Sequence, residues 1–595
     1  MAARQKFARP AWLFFPVFLI LSDAMAFSSS SLFFASPFFR IHCVDSRTGR
    51  GVPLVRLTTS AYLSFYSDSA GVIAFDEPGM LHGGLIYFQV RTDGYSVVSS
   101  LSGDPKGDPG VLLRTFPGGN ATVVLQRTQH AERLFRLTGS GLYRDTVLTG
   151  GVPPIKEPLL SKAGVVGQDS LMALPFKDKV FWFFGDTECP QGPRSTDCQH
   201  YGRFTTGATS PFPPTDAKSV APSLEYFSSN NASDPGGMSS DGLPDPALLA
   251  QWNPDGFSHP RAMLAGPGRP RLFNMSTWVG SLTVVTSSKQ ESRMYLRYVC
   301  PNGGPDVLYG LALWDEADEV FRPLVGKSGY SFRYSGAQVV QRLSPDDTKT
   351  GHIYYASAFA MERVQSGSFT AFEDPARVEY FTPCAASDRG GCTDTSGGWG
   401  WKSADLASGG TANPSGHAYF GPAQEAAAIA AGHLASSDAR MQVTDSKTGK
   451  PIGGTLSRGS VNWNAFRNRY VLIADRHDAH PSDKTSRYGE IYYCESDAIV
   501  GPWTECTVVA THAWTGSSCY NPLQLAWLDE GGGKVVYFAC TWTSMSSGGP
   551  GHSDRACKFA NYGGIGCAVA VPRYEYNNLV FRLDVEDMLA AMRDV

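Results

Sequence analysis

Four acidic side chains are the residues of this chain best suited to chemistry: Asp169, Asp186, Glu362 and Glu490. Asp169 opens the stretch QDSLMALPFKDKVFWFFGDTE, residues 168–188, and Asp186 nearly closes it. The stretch reads as a β-hairpin, with an apolar strand, a turn at Lys177 and Asp178, and an aromatic strand from Val180 to Phe184. A hairpin returns its end beside its beginning, so two carboxylates are offered to one region of space. Paired carboxylates are the minimum equipment for cleaving a glycosidic bond, one protonating the leaving oxygen and the other serving as base or nucleophile. On this reading Asp169 is the base or nucleophile, Asp186 orients it or tunes its proton affinity, and Glu490 or Glu362 is the proton donor. The bland alternatives are a strand-entry turn for Asp169, a solvated loop end for Asp186, an outer-strand position for Glu490 and a surface ion pair with Arg363 for Glu362.

A second set is neutral. Asn462 and Asn464 stand two apart around Trp463, so on a strand they face one way and the indole the other. Asn521 lies in Tyr-Asn-Pro. Amides beside aromatics suit sugar hydroxyls and the apolar faces of sugar rings, which makes these residues substrate-binding candidates, with Arg363 as an orienting cation. Their alternative is a structural role, satisfying backbone groups between neighbouring sheets. A non-catalytic carbohydrate-binding or adhesive module needs only such amides and aromatics around a pocket. It is the rival reading, and the discriminating feature is a second acid within reach of Asp169. The chain has no Gly-x-Ser-x-Gly elbow, HExxH, Walker loop or dinucleotide fingerprint, so no cofactor is expected.

The elements that must position these residues repeat. A short apolar strand, a tight turn and an aromatic strand ending in polar residues recur four more times, near 277–324, 336–383, 459–510 and from Tyr520 to the C-terminus. Repetition on this scale predicts propeller blades around a central channel. The expected fold is all-β: a five-bladed β-propeller over 166–588, with insertions at 211–269 and 384–454, joined by a linker at 128–165 to a small β-sandwich at 38–127. A structural calcium ion at the propeller axis is compatible with this plan, although no ligand spacing demands a metal.

The remaining features concern destination. Arg4, Lys6 and Arg9 precede an apolar run from Ala11 to Leu21, and Ala24-Met25-Ala26 offers a small-x-small cleavage site. Residues 1–26 therefore read as a secretory signal peptide, the run being short of the ~20 residues of a spanning helix. Twelve cysteines fit an oxidising, extracellular compartment, and Cys494/Cys506 and Cys519/Cys540 are the pairs expected to bridge adjacent strands. Sequons at Asn120, Asn231 and Asn274 fit a glycosylated surface. A net charge of −4 gives no basic footprint for nucleic acid. The expected partner is a polysaccharide or glycan, met by a secreted monomer with no membrane span after cleavage.

Two resemblances sharpen this. The pattern Val44-Asp45-x-x-Thr48-Gly49-x-Gly51-Val52-Pro53, with Asp68-Ser69-x-Gly71 and Asp93-Gly94-Tyr95, resembles the transthyretin-like or carboxypeptidase-regulatory-like β-sandwich, which implies an accessory domain without chemistry. Gln168-Asp169-Ser170, Phe184-Gly185-Asp186-Thr187 and YYCESDAIVGPW from Tyr492 to Trp503 resemble the secreted five-bladed β-propeller glycosidases, arabinanases and furanosidases among them. That resemblance implies a base Asp in blade one, matched here by Asp169, a second tuning Asp and a general-acid Glu from a later blade. Neither Glu362 nor Glu490 stands in a matching motif.

Overall fold

In a computed structural model of the chain, the described residues are 36–593 apart from 99–108, 156–162, 166, 189–204, 213–219, 230–258, 261–262, 265–277, 301–307, 325–337, 385–391, 397, 404–420, 447–448, 450–451, 453–455, 477–488, 512–517 and 544–575. The segment read as a signal peptide and the sequons at Asn231 and Asn274 lie outside them. Asn120 is exposed at the head of a strand.

Residues 39–127 form two four-stranded sheets. One runs in the order Val72–Phe75, Phe39–Asp45, Asn120–Arg127, Tyr95–Val97, and the other Ser64–Tyr66, Arg56–Thr59, Leu85–Arg91, Gly110–Arg114. Alternation along Phe39–Asp45 sends Phe39, Ile41 and Cys43 inward, where they share one core with Leu57, Phe88 and Val90 of the facing sheet. The result is the small sandwich.

Five of the remaining sheets form the five blades. Blade one is Leu171–Phe176, Lys179–Phe184, Thr206–Pro211 and Glu225–Tyr226. Blade two is Trp278–Thr286, Ser292–Cys300, Leu308–Asp315 and Val320–Pro323. Blade three is Gln338–Val339, His352–Ser357, Phe359–Gln365 and Val378–Pro383, extended at its outer edge by Trp399–Ser403 and Cys392–Ser396. Blade four is Leu456–Asn464, Arg469–Arg476, Ile491–Ser496 and Thr504–Ala510. The first strands of successive blades touch in cyclic order, with that of blade five closing onto blade one.

Blade five shows what a linear reading misses. Its inner strands are Ser518–Gln524, Val535–Thr543 and Asn577–Asp584, but its outermost strand is Glu132–Arg136, from the segment read as a linker. Closing a ring with one strand from the other end of the chain fastens it against opening at that seam. The strand also ties in the sandwich: the Arg133 guanidinium donates to the carbonyls of Pro53 (2.8 Å) and Asp93 (2.5 Å). The segment 211–269, read as an insertion, likewise contributes a blade strand, Glu225–Tyr226.

Each blade is covered on both faces by its neighbours, which explains why Lys179–Phe184, KVFWFF, is buried at every position after the lysine. Phe183 packs against Phe227, Trp314 and Phe321 between blades one and two at centroid separations of 6.4, 6.0 and 5.0 Å. Gly207 on the adjoining strand must lack a side chain, since a Cβ there would lie 2.8 Å from the Phe183 ring. Disulfides Cys494–Cys506 and Cys519–Cys540 each join neighbouring strands, in blades four and five. Among the described residues no helix is long and apolar enough to cross a membrane.

Candidate active site

Asp169 and Asp186 meet because a short second ladder continues the hairpin of blade one. Gly167–Gln168 pairs with Thr187–Glu188, and Leu171–Phe176 pairs with Lys179–Phe184. Between the two ladders the Asp169 N–H donates to the Asp186 carbonyl (2.8 Å) and the Gly185 N–H to the Asp169 carbonyl (2.9 Å). These two backbone bonds hold Asp169 against the Gly185-Asp186 segment where the ladder is interrupted. Ser170 takes a left-handed backbone, φ 40°, where the ladder is interrupted. Such interruptions re-aim side chains and recur beside active sites.

Three hydroxyls converge on Asp169. Ser170 Oγ donates to Oδ1 at 2.8 Å and Tyr520 Oη to the same oxygen at 2.5 Å. The buried Tyr576 hydroxyl also bonds to Asp169, and burial, with the Asp169, Tyr520 and Asp186 groups adding to it, pushes that phenol well above its ordinary range. Asp186 Oδ1 accepts the indole N–H of Trp278, the first residue of the inner strand of blade two, at 2.8 Å. An oxygen that accepts from several hydroxyls is placed to act as an acceptor, as a base or nucleophile must.

Blades four and five complete the mouth. Asn521, with φ 53°, donates through Nδ2 to Ser170 Oγ at 2.6 Å. Its Oδ1 accepts from the Arg458 guanidinium. Asp475, fully buried, accepts the Arg458 backbone N–H on Oδ1 (3.1 Å) and that of Asn521 on Oδ2 (3.2 Å), fastening the inner strands of blades four and five together. The Ser170 N–H donates to Thr541 Oγ1 at 2.9 Å. The starts of four inner strands are thereby bonded into one constellation.

Of the sequence-based candidates, the structure gathers Asp169, Asp186 and Asn521. Glu362, Arg363, Asn462, Asn464 and Trp463 lie elsewhere. Glu362 is on the third strand of blade three, in a buried ion pair with Arg297 of blade two; burial pushes its carboxyl up, with Arg297 opposing. Arg363 pairs with Glu379 at 2.7 Å and lies 4.5 Å above the Trp401 ring. Asn462 Oδ1 accepts the N–H groups of Gln341 (2.9 Å) and Arg342 (3.0 Å) while Nδ2 donates to Gln524, so it links blades three, four and five. Asn464 donates to the Gly533 carbonyl at 2.8 Å and caps the turn to Arg467. Trp463 packs edge-on against Tyr470. Glu490 precedes the third strand of blade four, half-buried, accepting from Tyr492 at 3.2 Å.

Tyr520, Tyr576, Trp278, Arg458 and Asp475 went unread in the sequence. One signal was available for three of them: Trp278, Arg458 and Tyr520 stand at the starts of inner strands, the position Asp169 occupies in blade one.

No family model matches this chain, and no curated protein matches it in sequence. Solved structures align weakly. An exo-β-1,3-galactanase from Phanerochaete chrysosporium, crystallised with β-1,3-galactotriose, is 11% identical over 71% of this chain and 61% of its own, with a TM-score of 0.31. A GH43_1 enzyme from Xanthomonas citri is 12% identical over 64% of this chain and 82% of its own, TM-score 0.28. An exo-1,5-α-L-arabinanase from a bovine ruminal metagenomic library is 11% identical over 70% of this chain and 93% of its own, TM-score 0.27. Scores this low carry no residue role from those enzymes to this chain.

Proposed function

We propose that this protein is a glycoside hydrolase that cleaves a polysaccharide at the propeller mouth, with Asp169 as base or nucleophile. The observation that carries the reading is the pair Asp169 and Asp186, joined by a backbone hydrogen bond at the end of the blade-one hairpin, with Asp169 Oδ1 held by hydroxyls from blades one and five. Glycosidic cleavage asks for one carboxylate fixed as an acceptor and a second acid across the bond. Asp186, anchored by the Trp278 indole, sets the field around Asp169. Glu490 is a better proton donor than Glu362. It stands beside Arg476 and Asp475 at the end of blade four that carries Arg458, whereas Glu362 is committed to Arg297. The two disulfides support an oxidising, extracellular site of action.

The test is Asp169→Asn, assayed on a polysaccharide panel that first finds a substrate for the wild type. General acid–base roles contribute about 10²–10⁴-fold, so turnover should fall at least that far while the melting temperature and glycan binding hold. Wild-type turnover by the variant would remove Asp169 from the chemistry. Binding without cleavage by the wild type across the panel would favour a carbohydrate-binding module.

A further inference from the structure

We infer that the glycan carries a carboxylate, and that Arg458 is the specificity residue that reads it; the inference rests on the proposed function for where the scissile bond lies. Arg458 stands near the start of the inner strand of blade four. Its guanidinium donates through Nη1 to Asn521 Oδ1, Asn521 Nδ2 donates to Ser170 Oγ, and Ser170 Oγ donates to Asp169 Oδ1. The charge is thus tied to the candidate base by three successive hydrogen bonds, a path of no more than about 10 Å, within one or two sugar rings.

Among the described residues Arg458 has no acid partner, unlike Arg297, Arg363 and Arg467. Arg297 is paired with Glu362, Arg363 with Glu379 and Arg467 with Glu495. The half-buried Arg458 guanidinium makes no ion pair among the described residues, and its one side-chain partner is the Asn521 amide oxygen. Asp475, close by, takes the Arg458 backbone N–H. Fixing Nη1 on an amide leaves the Nε and Nη2 edge, a planar fork that matches the two oxygens of a carboxylate.

Charge balance points the same way. Asp169 and Asp186 belong to the same constellation as Asn521, and two carboxylates without a nearby cation would repel an acidic sugar. An arginine held beside them, its fork unspent, admits one and fixes its register, so that the acid group lies on Arg458 and the neighbouring glycosidic bond falls near Asp169. A uronic acid residue has that chemistry. Two oxygens of a sulfate ester also fit such a fork, so a sulfated ligand belongs in the test.

The experiment uses the full chain carrying Asp169→Asn, so that ligands are not consumed. Calorimetry compares a uronate-terminated oligosaccharide, its carboxyl-reduced counterpart and a sulfated neutral counterpart. The uronate form should bind about ten- to a hundred-fold more tightly than the reduced form, the range of a charge-assisted hydrogen-bond pair, and the margin should shrink in high salt. Adding Arg458→Gln should erase the margin, and Arg458→Lys, which keeps the charge and loses the fork, should keep a fraction of it. Equal affinity for uronate and reduced forms, or tighter binding of the sulfated form, would overturn the inference. If Arg458→Gln unfolds, the ligand comparison in the Asp169→Asn protein and the Arg458→Lys variant still decide. Wild-type cleavage of neutral glycans without preference for acidic ones sinks this inference and leaves the hydrolase reading standing. Preferential uronate binding with no cleavage does the reverse, and failure to bind any glycan sinks both.

Discussion

Replacing Asp475 by alanine should be among the most damaging single changes near the mouth, by an amount that follows from the two backbone N–H groups it accepts. The carboxylate is fully buried and accepts the backbone N–H of Arg458 on one oxygen and of Asn521 on the other. Neither donor can be moved without moving an inner strand. Removing the acceptor leaves buried N–H groups unsatisfied, and hydrogen bonds to a charged group contribute about 1.5–3 kcal/mol each. Two such bonds give a loss of roughly 3–6 kcal/mol for Asp475→Ala, a large part of the stability of an ordinary domain. Asp475→Asn keeps one acceptor oxygen and turns an NH₂ toward the other N–H, so about half of that loss is expected. Urea unfolding followed by tryptophan fluorescence measures both variants, with the slope of the transition checking that the same surface is exposed. Because the two strands carry Arg458 and Asn521, turnover should fall even where the variant is folded. If Asp475→Ala costs less than about 1 kcal/mol and leaves turnover intact, the clamp between blades four and five is not what holds the mouth together.

Three further outcomes are expected. Tyr520→Phe removes a hydroxyl donor from Asp169 Oδ1, and on the hydrolase reading kcat should fall about ten- to a hundred-fold with the melting temperature nearly unchanged; unchanged kinetics would separate Tyr520 from the site. Phe183→Ala opens a cavity among Phe227, Trp314 and Phe321 and should cost about 3–5 kcal/mol, measured by urea unfolding, a loss under 1 kcal/mol refuting the packing. Cys43 is buried in the sandwich and its thiol is pushed up to about 12 by burial; the folded form stays protonated across neutral pH, so iodoacetamide at pH 8 should label it only after denaturation, as mass spectrometry would show.

Local patterning determined much of this molecule. The strand, turn and aromatic strand rhythm announces blades because a strand between two blades is buried on both faces and reads as an apolar run, as VFWFF after Lys179 does. Asp169 and Asp186 were legible for the same reason: a hairpin with a two-residue turn fixes what lies opposite what. Only the tertiary structure decided what lies between blades. The closing strand Glu132–Arg136 is hundreds of residues from its partner and carries no mark of it. Asn462 and Asn464 have the composition of sugar ligands, yet their amides are spent on backbone groups of neighbouring blades. Glu362 reads as a surface acid until blade two sets Arg297 against it. Arg458 and Tyr520 belong to the mouth because ring closure brings the start of each inner strand to a common centre. That convergence comes from the whole ring, and no single stretch of sequence encodes it.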